Sequence, residues 1–290
     1  MTELIANGIS KSRSASLTGI SRSMIYYGHR GRKPKYDADL EKRISSIVEE
    51  RPSYGTRRVT AMIRPPGVRT GRNCVLRHMR HMNLISTNKK THRKHVSRTI
   101  VVARPDVMCE TDFTKIYIDS EGWIYFTAYL DLCSRKIRKY FVSRMSRTAS
   151  IISAVDNAIL DTFPDMNVNG LRIRSDNGPQ LTSSGYGKHL RTLGINHETI
   201  HAPTPEKYGY IESYFGRFKD DCIYTREFVS LEDFRKHIEW AVSDYNTKRP
   251  HSSLNYMTPE EFESAILNED FKKKWLKKET GRYKHVELLE

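Results

Sequence analysis

The sequence predicts an α/β chain in two parts, a small all-helical basic head followed by a mixed-sheet domain with the order β-β-β-α-β-α-β-α. Three observations predict it. Residues 1–104 hold 23 Lys and Arg against 6 Asp and Glu, whereas the rest of the chain holds 26 against 28, so the whole basic excess sits at one end. Apolar residues recur at helical spacing before Pro105 and in strand-like runs from Val107 onward. Those runs come three in succession before the next helix, which separates this order from sheets that alternate strand and helix from the start.

Composition bounds the rest. With 290 residues, 38% hydrophobic and 10% aromatic, the chain can bury a sizeable core and has room for about two domains. A net charge of +15, concentrated in the head, suits a module that grips phosphates, joined to one with another task. Cys74, Cys109, Cys133 and Cys222 form no Cys-x-x-Cys pair, so neither a disulfide framework nor a zinc ribbon is indicated. The pairs His78/His81 and His92/His95 lack thiolates at matching spacing and read as histidines of a basic face. No apolar run approaches 18 residues and no signal-peptide pattern opens the sequence, so a reducing cytoplasm is expected and a membrane is not.

Within the head, residues 11–27 have helix-turn-helix punctuation: Gly19 for the turn, Ser21 to cap the second helix, Arg22 and Ser23 in its first turn. A surface helix that reads no groove is the alternative. Residues 29–37 have linker composition. Asp37 then caps a helix with the stripe Leu40, Ile44, Ile47 and Val48. Tyr54-Gly55 turns the chain, and Val59, Met62 and Ile63 mark a second helix that stops at Pro65-Pro66. A third, from Thr70 to Leu84, turns Val75, Leu76, Met79 and Met82 inward and Arg72, Arg77 and Arg80 outward. These three arginines cluster with Arg57 and Arg58 in one small domain, the pattern of a DNA reader rather than of scattered solvated charges. Residues 88–104 carry no acid, and Lys89, Lys90, Arg93 and Lys94 there suit a tether along a DNA backbone. The expected divisions are a helix-turn-helix-like segment over 1–35, a helical DNA-binding domain over 36–87, a basic linker over 88–104, a core with C-terminal helices over 105–265, and a basic tail over 266–290.

In the second part, Val107–Ile118 and Trp123–Leu132 are strands joined by a turn at 120–122, the latter apolar enough to be buried on both faces. Lys136–Ser143 is more polar and fits a sheet edge. A helix over 148–163 follows, then a strand over 171–175 that ends at Asp176, a helix near 184–194, a short strand near 196–200, and a helix carrying Glu212. This order fits a ribonuclease-H-like layered sheet.

Three acids stand out in that frame. Asp112 lies in the first, central strand, where an unpartnered carboxylate is costly. Asp176 ends the neighbouring strand, and Glu212 sits 35 intervening residues later on a helix that must cross back over both. Carboxylates gathered without a counter-charge raise one another's pKa, so a converging trio makes chemical sense as a cage for hard cations. Two such ions serve a phosphodiester reaction by handling the attacking and the leaving oxygen. On the last helix Ile211, Tyr214, Phe215, Phe218 and Cys222 form the buried face and Glu212, Gly216 and Lys219 the adjacent stripe, with Lys219 two turns, about 10 Å, beyond Glu212 and able to meet a DNA phosphate.

The stretches Glu110-Thr-Asp112-Phe-Thr114, Asp131-Leu-Cys-Ser-Arg135, Arg174-Ser-Asp176-Asn-Gly178, Ile211-Glu212-Ser-Tyr-Phe215 with Lys219, and Tyr245-Asn-Thr-Lys-Arg249-Pro-His-Ser-Ser-Leu254 through Thr258-Pro-Glu-Glu-Phe262 resemble the integrase core of bacterial insertion-sequence transposases. The similarity is to the second-reading-frame product of insertion-sequence family three. Tyr54-Gly55-Thr-Arg-Arg58 and Ile20 to Tyr27 resemble its N-terminal region. The resemblance implies a DDE recombinase that cuts transposon ends and joins them through a 3′-hydroxyl, dependent on two Mg²⁺ or Mn²⁺ ions held by Asp112, Asp176 and Glu212, with Lys219 on DNA. It further implies double-stranded DNA partners (terminal inverted repeats and target), a homo-oligomer in a synaptic complex, and a bacterial, nucleoid-associated place. Whether an upstream-frame partner protein joins it stays open. Lys207-Tyr208-Gly209 stands where the family usually has Asp-Asn-Ala, and Met108 and Cys109 stand where it often has a tryptophan; both read as changes in end contacts or local packing. Two other classes remain, a catalytically silent protein that binds terminal repeats and a general ribonuclease H, the latter opposed by the site-reading head. The geometric expectation is that the carboxylates of Asp112, Asp176 and Glu212 converge within reach of shared cations.

Overall fold

The computed structural model describes residues 2–21, 36–63, 70–85, 98–145, 148–163, 165, 168, 170–200, 209–283 and 285–289. The chain divides into two compact units, 1–42 and 43–290. In the first, α1 (Thr2–Ala6) precedes α2 (Lys11–Thr18). Ser10 caps α2 by accepting from the Arg13 N–H, and Gly19 ends it at φ +69°, the left-handed conformation that glycine adopts without steric cost. The expected second helix of this segment, with Arg22, lies outside the described residues.

Helix α3 (Ala38–Glu50) begins in the first unit and continues into the second, with Asp37 accepting from the N–H groups of Asp39 and Leu40 at its start. Helices α4 (Thr56–Ile63) and α5 (Arg72–His81) follow, Val59, Ile63, Val75 and Met79 facing inward as their spacing predicts. His78 is buried too, contrary to its reading as a basic-face histidine; it falls one residue before Met79, on the α5 face that packs inward.

The sheet has the spatial order β4-β3-β2-β5-β6: Ile137–Ser143, Gly122–Asp131, Met108–Ile118, Arg172–Ser175 and Asn196–Thr199. β3 pairs antiparallel with both β2 and β4, while β5 pairs in parallel with both β2 and β6. With α6 (Thr148–Thr162), α7 (Ser184–Thr192) and α8 (Gly209–Phe218), the order is β-β-β-α-β-α-β-α, a ribonuclease-H-like mixed sheet, and β4 is the edge expected from its polarity. One face packs Phe126, Ile116 and Leu130 against Ile211, Phe215 and Phe218 of α8 and Phe234 and Ile238 of α9 (Leu231–Thr247). Phe126 stacks on Phe218 at 5.0 Å, and burying a ring of that size contributes roughly 1.5–3 kcal/mol. The opposite face packs Cys109, Tyr129 and Ile173 against α6 and α7.

Several recognisable stretches turn out to be braces. Asp131, fully buried, accepts from the N–H groups of Cys133, Ser134 and Asp106 and from the Ser134 hydroxyl, tying the corner after β3. Asn246 accepts from the Ile137 N–H at 2.9 Å and donates to the Ile137 carbonyl at 3.0 Å, fastening α9 to the start of the edge strand. Thr258 and Glu261 close a reciprocal capping box on α10 (Pro259–Ile266).

Two expected divisions change. Within the predicted basic linker, Arg98–Val102 is a strand, β1, and within the predicted tail His285–Leu289 is β7, the two pairing in parallel. Between them, α11 (Glu269–Thr280) buries Trp275 against Phe262. The β-branched run Thr99-Ile-Val-Val102 drives β1, but its partner lies more than 180 residues away and its flanking charge masked it.

Candidate active site

Strand register builds the site. β2 and β5 pair as Met108 with Arg172, Cys109 with Ile173, Glu110 with Arg174, and Thr111 with Ser175. Asp112 and Asp176 are the residues immediately after the last pair, so they emerge from adjacent strands, about 4.8 Å apart in the hydrogen-bonding direction. Alternation places Asp112 with Glu110, Ile116 and Ile118, on the face covered by α8. Glu212 lies in the first turn of that helix, exposed, beside buried Ile211.

The two strand carboxylates have local anchors. The Phe113 N–H donates to Asp112 Oδ1 at 2.7 Å. The Gly178 N–H donates to Asp176 Oδ1 at 2.9 Å, and a Cβ at Gly178 would stand 3.0 Å from that same oxygen, close enough to displace the carboxylate by a few tenths of an ångström. Beneath Asp176, the buried Ser175 hydroxyl contacts His197 Nε2 at 2.9 Å, while burial lowers the pKa of that imidazole.

The electrostatics join the three acids. Burial, followed by the charges of Asp176, Glu212 and Glu110, pushes the Asp112 carboxyl up to about 7, against the single opposing donation from Phe113. Among the described residues, however, no three His, Cys, Asp or Glu side chains stand as a closed metal-holding group. The structure therefore sets Asp112 and Asp176 at the ends of adjacent strands and Glu212 near enough to raise the Asp112 pKa, but the expected convergence of all three carboxylates on a shared cation position is not met among the described residues, Glu212 being exposed on its helix. The donor chemistry fits a hard divalent cation: the groups are all carboxylate oxygens, and the elevated Asp112 pKa is what a neighbouring positive charge would reverse.

Sequence reasoning missed Glu110. It is fully buried, accepts from the Ile211 N–H at 3.0 Å, and burial pushes its carboxyl up to about 7. Its position two residues before Asp112 on the same strand face was the available signal.

The proposed DNA-facing cations divide. Arg57, Arg72, Arg77 and Arg80 are exposed on α4 and α5. Arg58 is not: it lies 3.7 Å from Asp221, which Arg249 also holds at 2.6 Å, and burial together with Arg249 pushes its pKa down to about 10. Lys219 is half-buried where α8 gives way to a π-helical turn, Lys219–Ile223, and that widening leaves Cys222 only half-buried instead of in the core stripe. Lys89, Lys90, Arg93 and Lys94 fall outside the described residues. A cavity of about 310 Å³ lies between the Arg51–Tyr54 turn, α8 and α9, and none of the three acids lines it.

Residues 102–205 and 193–259 match two families both described as integrase core domain, and residues 35–94 match an HTH-like domain. A 31.7 kDa protein of insertion element IS407 from Burkholderia multivorans is 26% identical, covering 88% of this chain and 90% of its own. The putative transposase InsK of insertion sequence IS150 from Escherichia coli is also 26% identical, covering 84% and 89%. Among solved structures, the HTLV-2 integrase catalytic core domain in complex with magnesium is 18% identical with a TM-score of 0.43, covering 55% of this chain and 97% of its own.

Proposed function

We propose, for a chain that belongs to the integrase-core DDE transposases of insertion-sequence family three, that Asp112, Asp176 and Glu212 are the carboxylates with which it cuts and joins insertion-sequence DNA ends. The observation that carries the assignment is the strand register, which sets Asp112 beside Asp176 under the helix bearing Glu212, with Asp112 electrostatically coupled to both.

These three side chains would hold divalent ions, two of the Mg²⁺ or Mn²⁺ class. Bound there, such ions supply Lewis-acid activation of the attacking oxygen and charge stabilisation of the leaving oxygen. The protein's own contribution is orientation. Gly178 fixes the Asp176 carboxylate through its N–H, Phe113 does the same for Asp112, and the buried face of α8 seats the helix that carries Glu212 against the sheet. The partner is double-stranded DNA carrying the terminal repeats, with the target duplex as acceptor. Exposed Arg57, Arg72, Arg77 and Arg80 would meet its phosphates in the helical region and Lys219 would do so past Glu212. Joining two ends requires two active sites in one assembly, so a homo-oligomer is the working form.

The test is Glu212→Gln with an end-bearing duplex and Mg²⁺ or Mn²⁺. The variant should lose cleavage and strand transfer while binding the duplex as wild type does. Retained full cleavage would overturn the assignment. Wild-type protein that binds terminal repeats yet nicks none with either ion would overturn the catalytic role of the trio and leave a silent DNA-binding protein.

A further inference from the structure

We infer that Glu110 is a positioning residue that docks the start of α8 onto β2 and thereby sets Glu212 over Asp112 and Asp176; the inference rests on the catalytic reading of those three acids.

Glu110 has no exposed surface, an uncommon place for a carboxylate that serves only packing. It accepts from the Ile211 N–H at 3.0 Å across 101 residues of sequence. Ile211 is the third residue of α8, so its N–H finds no i−4 acceptor among the described residues of the helix. Glu110 provides the missing acceptor from the sheet.

That one hydrogen bond constrains two things. Glu110 is two residues from Asp112 on the same face of β2, and Ile211 directly precedes Glu212. The bond is therefore a short strut between the strand carrying one proposed catalytic acid and the helix carrying another. Apolar packing of Ile211 and Phe215 against the sheet is non-directional and permits small rotations and slides of α8. A buried hydrogen bond to one backbone N–H does not, because it is kept only within a narrow range of distance and angle. The sheet side of the strut is held as well: in register beside Glu110 is Arg174, whose guanidinium is fastened by Glu198 at 2.9 Å. The second oxygen, Glu110 Oε1, is buried with no hydrogen-bond partner among the described residues, so Oε2 carries the hydrogen bond to α8.

The experiment uses the full chain with an end-bearing duplex, measuring single-turnover cleavage, duplex affinity and amide hydrogen exchange at Ile211. Glu110→Ala removes the acceptor: kcat should fall about 10- to 100-fold, as a misplacement on the scale of 1 Å produces, while duplex Kd stays within about twofold. Exchange at Ile211 should accelerate while the β2 and β3 amides stay protected. Glu110→Gln keeps an acceptor oxygen of the same reach and should recover kcat to within about threefold of wild type. Wild-type cleavage by Glu110→Ala overturns the inference, as does a Glu110→Gln variant as slow as Glu110→Ala with Ile211 still protected, which would make the charge and not the strut essential. Should Glu110→Ala fail to fold, Glu110→Gln and the wild-type Ile211 exchange still decide, because rapid exchange at Ile211 in the wild-type protein also overturns it. Asp112→Asn separates the two readings: it should abolish cleavage and leave Ile211 exchange slow, so persistent cleavage there would overturn the catalytic assignment while leaving the strut standing.

Discussion

Replacing Asp112 by Asn should stabilise the protein at alkaline pH and do little at acidic pH. The Asp112 carboxyl stands at about 7 against an ordinary 3.8, mainly through burial and then through Asp176, Glu212 and Glu110. An acid whose folded pKa is raised costs nothing below its unfolded pKa, because both states hold the proton. The cost grows as pH climbs from about 4 to about 7 and is complete above that, where the folded state must either keep a proton the solvent no longer supplies or bury a charge. At 1.36 kcal/mol per pH unit the full penalty is about 4 kcal/mol, an upper figure because relaxation of exposed Glu212 takes part of it. Asn retains an oxygen for the Phe113 N–H and loses the charge. In chelator at pH 8 the variant should therefore melt several degrees above wild type, at about 2–4 °C per kcal/mol for a body of this size, and the gap should close near pH 4.5. Divalent cation at pH 8 should raise the wild-type midpoint and leave the variant's nearly unmoved, since a ligand stabilises only the state that binds it. A variant destabilised equally at both pH values, or one stabilised by cation as much as wild type, would refute the reasoning.

Gly178→Ala should cut cleavage by about tenfold or more with little change in duplex binding, because the added Cβ meets Asp176 Oδ1 at 3.0 Å and must turn that carboxylate; an unchanged rate would show that its orientation is not limiting. Arg77→Ala and Arg80→Ala should each reduce the salt slope of duplex binding by about 1, while Arg58→Ala should leave the slope alone and lower unfolding stability, since Arg58 faces Asp221 inside the protein. Asn246→Leu should cost roughly 1–3 kcal/mol in denaturant unfolding by leaving the Ile137 N–H and carbonyl unmatched where edge strand and α9 meet.

What the sequence revealed and what it hid follow from how far apart the determining residues lie. The face of α8 was legible because Ile211, Tyr214, Phe215 and Phe218 carry their own period, and the neighbouring stripe with Glu212 needs no partner to be identified. The proximity of Asp112 and Asp176 was legible as an expectation because a strand order that places β5 beside β2 is a consequence of fold class. Arg58 was misread for the opposite reason: its sequence neighbours are basic and helical, and only tertiary packing brings Asp221 and Arg249 to it. The same holds for β1 and β7, each a short run whose identity depends on the other end of the chain.

Glu110 marks where the two kinds of information meet. Its strand face can be counted from Asp112, so its direction was available, yet an acid at that position reads from sequence alone as one more charge near a charged site. Its role depends on a single backbone N–H that arrives 101 residues later, in the first described turn of α8. A catalytic trio drawn from two strands and a helix needs its members located, and it also needs the helix held at one rotation against the strand. Sequence periodicity addresses the first requirement through side-chain types, while the second is met by a buried carboxylate that only the folded chain brings under Ile211. If the strut acts as proposed, the placement of Glu212 depends on a residue buried beneath α8, and substitutions at Glu110 should change rate before they change affinity.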